Sequence, residues 1–350
     1  MGDDEPVPRQ SCNFSSELER NLSARRRRLD YARDMENVAG HSRVSLVVGT
    51  FGRTDPIMRL LRSLDAQTIV PLEFILVDQN EPPLNHDLLN GEGHRFDLIH
   101  LHHPGRCGIS KARNIGLSVA RGEWIGFPDD DCWYPKDYLQ KALVGLDCSK
   151  SDFFTGRPTA VDGRTINGRF SGQRHRIDRN NVFVSQIEWN MVGRRSAIVA
   201  LGGYDEQISL GGATPWQGGE GFDLLIRAVD KGYRCTYDPE LVAHHDEHGT
   251  LNPDAAMRKK ARRYGRGLGR VLSKHRYGLT AQLHWCGRSF ANLLVSLAQS
   301  KGDRAAYFAQ QFIGRVEGAG NFTIGKLDKG LGMPARGVRE IARIKSRHTS

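Results

Sequence analysis

The sequence predicts an α/β fold, a mostly parallel sheet flanked by helices and followed by C-terminal amphipathic helices. Three observations carry that expectation. Short β-rich runs at Val44-Ser45-Leu46-Val47-Val48, Phe74-Ile75-Leu76-Val77, Leu98 to Leu101 and Trp124-Ile125-Gly126-Phe127 alternate with segments of helical apolar spacing, the wiring of a parallel sheet with helices on both faces. The chain has 350 residues, 39% of them apolar, enough to bury a large core. Charge divides along it: residues 1–250 carry 30 Lys+Arg and 35 Asp+Glu, whereas residues 251–350 carry 20 and 5. The expected organisation is a polar arm or helix over 1–42, an α/β domain over 43–250 and a basic helical extension over 251–350.

Each element follows from local pattern. The first forty residues are polar, with an arginine run at Arg25 to Arg28 and Leu18, Leu22 and Leu29 at helical spacing. The first strand ends in Gly49-Thr50-Phe51-Gly52; Thr54 then reads as an N-cap with Pro56 in the first turn, and Ile57, Leu60, Leu61 and Leu64 form a buried stripe. The second strand ends at Asp78-Gln79-Asn80, and the third precedes a helix from Ser110 to Ala120 closed by Gly122. The fourth runs into Pro128-Asp129-Asp130-Asp131. Residues 151–195 read as irregular with short strands. A glycine-rich loop over 211–219 leads to a helix from Glu220 to Asp230, and a strand from Glu240 to Ala243 ends at His244 and His245. Beyond Asn252 two or three amphipathic helices are expected; Gly265, Gly267 and Gly269 predict that the first is weak in its latter half.

Several classes are excluded. No run of 18 apolar residues occurs, and the richest stretch, Leu279 to Ala298, holds Gln282, His284, Arg288 and Asn292, so no conventional spanning helix is expected. The start lacks the basic and apolar regions of a secretory signal, which predicts a cytoplasmic protein. Six scattered cysteines without a Cys-x-x-Cys pair suggest neither a zinc site nor a disulfide framework. The basic segment attracts a polyanion, either nucleic acid or an anionic membrane face.

Three consecutive carboxylates at a strand end repel one another unless a cation neutralises them. Asp129 and Asp131 offer hard oxygen ligands suited to Mg²⁺ or Mn²⁺, which can hold a nucleotide diphosphate. The rival is a solvated acidic turn; the buried strand before the triplet and Trp133-Tyr134-Pro135 after it argue for a site.

The succession Val44 to Arg53 (VSLVVGTFGR), Ile75 to Asp78 (ILVD), Gly108 to Gly116 (GISKARNIG) and Phe127 to Asp131 (FPDDD) resembles glycosyltransferase family 2, of GT-A fold. The likeness extends through Gly202 to Glu206, Gly218 to Asp223 and Asp238 to His245. It implies that Thr50, Phe51 and Arg53 border a donor nucleotide, with Asp78 accepting a hydrogen bond from its base. Arg113 and Asn114 would close the pocket near ribose and phosphates. Asp129 and Asp130 would lie at the nucleotide sugar, with Asp129 touching ribose or metal and Asp131 the metal ligand; His245 would reach metal or phosphate. Gly49, Gly52 and Gln79-Asn80 depart from the family pattern, which puts base selectivity in doubt.

Inverting sugar transfer needs one general base for the acceptor hydroxyl. The family often carries it in a Glu-Asp pair at a helix start; here Gly221 stands in place of that Asp, leaving Glu220 or Asp223 as base. The rival for either acid is a simple complement to a helix N-terminus. Trp189, Asn190, Trp216 and Gln217 flank the expected acceptor side, since aromatic faces stack on sugars and amides bond hydroxyls; Trp216 fits a core plug equally well. The resemblance implies a metal-dependent enzyme moving sugar from a nucleotide diphosphosugar, a UDP-sugar by expectation, to a carbohydrate or lipid-linked acceptor in polysaccharide, glycolipid or cell-wall synthesis. The apolar and basic C-terminal helices predict peripheral attachment to the anionic cytoplasmic face of a membrane. The rivals are a nucleotidyltransferase, for which Arg53 alone is a thin phosphate grip, and a non-catalytic nucleic-acid-binding protein. The basic segment shows no recognisable nucleic-acid motif, so nucleic acid is the less expected partner.

Overall fold

Alternation of side chains along buried strands decides the layers. A computed structural model describes residues 43–91, 93–246, 252–324 and 338–344; the expected arm or helix over 1–42 lies outside them. Strand β1 (Val44–Thr50) pairs in parallel with β2 (Glu73–Asp78) on one side and β4 (Trp124–Gly126) on the other, and β2 pairs in parallel with β3 (Asp97–His102). Val44, Leu46 and Val48 face helix α1 (Asp55–Asp65) and its stripe Ile57, Leu60, Leu61 and Leu64. Val47, Ile75 and Ile99 face the opposite cluster, which holds Ala112 and Leu117 of α3 (Ile109–Val119). Period-two alternation thus feeds two cores from one sheet. The short helix α2 (His86–Asn90) lies between β2 and β3. Thr54 stands at the α1 N-cap position without a side-chain cap bond.

The second half of the sheet is mixed rather than parallel. Strand order is β10-β3-β2-β1-β4-β8-β6-β9-β5, with β7 paired to β9. Strand β8 (Met191–Arg194) runs antiparallel to both β4 and β6 (Phe153–Thr159), and β6 runs parallel to β9 (Cys235–His245). The short β5 (Cys132–Trp133) and β7 (His175–Arg176) are antiparallel to β9. Antiparallel pairs need no helical crossover, so this irregular stretch can enter the sheet directly. Strand β9 begins five residues before the expected Glu240. Its register against β6 shifts between Gly156 and Arg157, across from Pro239, which has no N–H to give the ladder.

Helices α4 (Tyr138–Ser149), α5 (Arg195–Ala200) and α6 (Glu220–Asp230) complete the layers. The basic extension forms α7 (Ala255–Lys274), α8 (Leu279–Ala298) and α9 (Gly302–Gly320). Helix α7 is unbroken through its glycines, and the reason is contact: a Cβ on Gly265 would lie 2.6 Å from Gln311 O, and one on Gly269 or Gly314 would run into the carbonyl of Arg315 or Arg262. Backbones of α7 and α9 touch where side chains are absent, which offsets the lower helix propensity of glycine. Between them Glu317 is fully buried and accepts from Arg266 Nε at 2.6 Å and Arg262 Nη2 at 2.7 Å. Strand β10 (Arg339–Ile344) pairs antiparallel with β3 and covers that sheet edge. The described residues all fall in one compact unit.

Candidate active site

Parallel strands that end level place their last residues side by side. The register sets Thr50 beside Asp78 and Asp78 beside His102, while β4 leads directly into Pro128 and the three aspartates. Ligand groups of open α/β sheets gather at this carboxyl edge. Thr50 Oγ1 donates to Asp130 Oδ2 at 2.8 Å, and Arg53 Nη1 donates to Asp130 Oδ1 at 2.9 Å while also reaching Asp131. From α3, buried Arg113 donates through Nη2 to Asp129 Oδ1 at 3.0 Å. The end of β9 brings His245, whose Nε2 lies 2.9 Å from Asp131 Oδ1 and whose ring stacks on Trp189 at 5.4 Å. Ligand atoms of Asp129, Asp131 and His245 all lie within 4.8 Å of one another.

Electrostatics separate these acids. Burial pushes Asp129 up to about 6 against the pull of Arg113, with smaller contributions from the neighbouring charges of Asp131 and Glu188. Burial acts the same way on Asp131, but hydrogen bonding and charge from His245 and Arg53 hold it down to about 2. Burial and the neighbouring Glu188 push Glu220 up to about 7. Asp223 goes the other way: despite burial, His275, Arg227 and Lys274 hold it well below the ordinary carboxylate range.

A cleft of about 760 Å³ opens on this edge. Its lining includes Arg113, Asp129 and His245, then Glu188, Trp189 and Glu220, and also Lys260, Tyr264, Trp285 and Arg315 of the helical extension. Residues 45–198 match the family model for Glycosyl transferase family 2. The chain carries a glycosyltransferase family 2 domain. It is 26% identical over 287 residues to a pre-mycofactocin glycosyltransferase of Mycobacterium tuberculosis, a match covering 79% of this chain and 57% of that protein. It is 25% identical over 226 residues to the succinoglycan biosynthesis protein ExoO of Rhizobium meliloti, covering 60% and 62%. The chain thus spans less than two thirds of either relative. In fold it is similar to a mannosyltransferase of Pyrobaculum calidifontis solved with GDP-Man and Mn²⁺, at a TM-score of 0.55 and 16% identity, covering 80% of this chain and 88% of that one.

The expected residues fall into two groups. Arg113, Asp129, Trp189, Glu220 and His245 line the cleft, with Thr50, Arg53, Asp130 and Asp131 bonded around them. Others are engaged elsewhere. Asp78 is fully buried and accepts from Asn80 N, Leu84 N and His100 Nε2. Asn114 donates to Tyr204 O at 2.9 Å and accepts from Tyr204 N at 2.8 Å, clamping the 202–206 turn. Buried Asn190 bridges Arg157 O and Leu241 O at 3.1 and 3.0 Å, stitching the register shift of β6 and β9. Phe51 is exposed with Arg106 above its ring, Trp216 packs against the core, and Gln217 is buried in the glycine loop. Glu220 lines the cleft and accepts from Leu210 N, whereas Asp223 is turned to the end of α7. Asp223 accepts from Lys274 Nζ at 2.5 Å, His275 Nε2 at 2.8 Å and Arg227 Nε at 2.9 Å, tying α6 to the end of α7.

Sequence reasoning missed Glu188, Lys260 and Tyr264. An isolated acid beside Trp189 in an otherwise apolar stretch was the signal available for Glu188; Lys260 and Tyr264, four apart on one face of α7, gave no sign of which surface that face meets.

Proposed function

We propose that this chain is a metal-dependent, inverting glycosyltransferase that uses a nucleotide diphosphosugar donor, a UDP-sugar by expectation. The observation that carries the reading is the convergence of Asp129, Asp131 and His245 beside the cleft. Two carboxylates and an imidazole suit Mg²⁺ or Mn²⁺, and the burial that raises Asp129 is offset by a cation there. Those three residues would hold the ion, which when bound supplies charge to stabilise a departing diphosphate. Arg113 and Arg53 orient the aspartates, and Lys260 adds a cation to the same mouth. A base lining the same cleft takes the acceptor proton. Of the two acids first considered, Glu220 lines the cleft and Asp223 is locked in its own ion cluster. The names of the mycobacterial and rhizobial relatives support an acceptor in glycoconjugate or surface-polysaccharide assembly, carbohydrate or lipid-linked. The test is a panel of nucleotide sugars with Mn²⁺, each with and without EDTA: turnover of one donor that EDTA removes supports the reading, and turnover unchanged by EDTA refutes its metal dependence.

The reading also places the protein peripherally on an anionic, cytoplasmic membrane face. No helix among the described residues is long and apolar enough to cross a bilayer. Helix α8 instead turns Leu279, Leu283, Phe290, Leu294 and Leu297 outward while burying Ser289 and Ser296, and exposed Arg276 and Lys301 bracket it. An uncharged apolar stripe between cations is the pattern of an interfacial helix. Full-length protein sedimenting with anionic vesicles, and a Leu283→Ser/Leu294→Ser variant staying in solution, are the expected results; wild type that ignores the vesicles at low salt refutes the attachment.

A further inference from the structure

We propose that Glu188, on the single turn Glu188–Asn190 facing the start of α6, is the general base of this active site. The inference rests on the glycosyltransferase reading above and goes beyond it in naming a residue outside the two acids first considered.

Geometry carries the assignment. Glu188 lines the cleft together with Asp129, His245 and Glu220 and stays partly open to it. Its Oε1 accepts from Gly221 N at 2.7 Å, so the positive end of α6 anchors the carboxylate. The approach is possible because residue 221 has no side chain: a Cβ there would lie 2.5 Å from Glu188 Cγ and 2.8 Å from Cδ. The Glu188 carboxyl therefore fills the space that a side chain at 221 would take. No further hydrogen bond to Glu188 occurs among the described residues, which leaves its other oxygen for an acceptor hydroxyl. Glu220 is the poorer candidate, since it is buried and one oxygen receives Leu210 N–H.

Charge supports the same division. Glu188 interacts electrostatically with Glu220 of α6, Arg113 of α3, Asp129 after β4, Tyr204 and Tyr264 of α7. Two facing carboxyls share a proton rather than both ionising. Burial and Glu188 push Glu220 up to about 7, and of the two it is Glu188 that is open to the cleft and capped by an N–H. In the reaction the Glu188 carboxylate takes the acceptor hydroxyl proton as that oxygen bonds to the anomeric carbon; the bond from that carbon to the diphosphate breaks, its electron pair leaves with the diphosphate, and the proton passes from Glu188 to water.

The experiment uses the donor that wild type turns over. Glu188→Gln keeps the Gly221 contact through its amide oxygen, so melting temperature and Mn²⁺-dependent binding of the donor's nucleoside diphosphate should match wild type, while kcat falls by ~10²- to 10⁴-fold. The acidic limb of the kcat–pH profile should vanish in Glu188→Gln and persist in Glu220→Gln. A Glu188→Gln enzyme within threefold of wild-type kcat, or one that retains the acidic limb, overturns the assignment and leaves the glycosyltransferase reading intact. Wild type that binds and turns over no nucleotide sugar overturns both.

Discussion

Two regions line the cleft, and they are held in different ways. The sheet side rests on strands β1 to β3, buried along nearly their whole length, with apolar side chains filling cores on both faces. The helical side, α7 and α9, is joined by glycine contacts and a buried Glu317 between Arg262 and Arg266. Large apolar residues are few at that contact; the buried residues of α9 are Ala305, Gly314, Arg315, Glu317 and Gly318. A close-packed apolar platform fixes the reacting carboxylates within narrow limits. A backbone-on-backbone joint tolerates almost no added volume but leaves outer side chains such as Lys260 and Tyr264 free to differ without disturbing it. The carboxylate cluster is therefore placed on the sheet side, and the helical side, packed to the core through Val271, adds Lys260 and Tyr264 to the cleft lining.

The sharpest way to break this division is Asp131→Ala. Asp131 ends the sheet platform, and its neighbours are the half-exposed Arg53 and the mostly covered His245 at the cleft, not apolar core residues. Turnover should fall by ~10³-fold or more, the scale of losing a key electrostatic group, with melting temperature nearly unchanged. Comparable loss of stability would show that the carboxylate holds the fold instead.

Next is the helical joint. Gly269→Val places a branched side chain against the carbonyl of Arg315 and should cost about 3 kcal/mol through overpacking. The expected readout is a lowered melting temperature with weakened donor binding, because Lys260 and Tyr264 ride on the same helix. An unchanged melting curve would mean that α7 and α9 are not in backbone contact.

How much was legible in sequence follows the same divide. Strands β1 to β4 were located to within a residue or two because each is a short, mainly apolar run, and α6 was placed from Glu220 to Asp230 because Leu224, Leu225 and Ala228 share a face. The aspartate triplet was legible as the end of a buried strand. Glu188 was not, since its role depends on α6 arriving beside it, a contact between segments 33 residues apart. The glycines of α7 were read through propensity alone, as weakness. Their partners sit at the same four-residue spacing in α9, Gly314 and Gly318, and that pairing of spacings was the overlooked sign of a close helix contact.

A third prediction concerns the buried charge in the joint. Against burial, which raises it, Arg262 and Arg266 hold Glu317 down to about 2. A carboxylate lowered on folding stabilises above its unfolded pKa near 4.5, and that contribution disappears as pH falls through about 2. Glu317→Gln should cost about 2 kcal/mol at neutral pH and should flatten the acid limb of stability relative to wild type. Parallel acid limbs in the two proteins would place the sensitivity elsewhere.

The smallest effect belongs to the sheet side and has the opposite sign in pH. His94 Nδ1 lies 2.6 Å from Asp65 Oδ2 at the end of α1, and Nε2 lies 2.7 Å from Leu89 O. Burial opposes the imidazolium, yet the bonds to Asp65 and Leu89 raise its pKa above the ordinary 6.5. A histidine raised on folding stabilises fully below the unfolded pKa, and the gain is lost as pH climbs through the higher folded value. Melting temperature should therefore decline modestly from pH 6 into the alkaline range. His94→Gln, which keeps one bond at most and carries no charge, should cost about 1 kcal/mol at pH 6 and remove that decline. Because neither His94 nor Asp65 belongs to the cleft, donor binding and turnover should not follow the change; if they do, α1 is coupled to the carboxylate edge and the sheet side is less rigid than its packing implies.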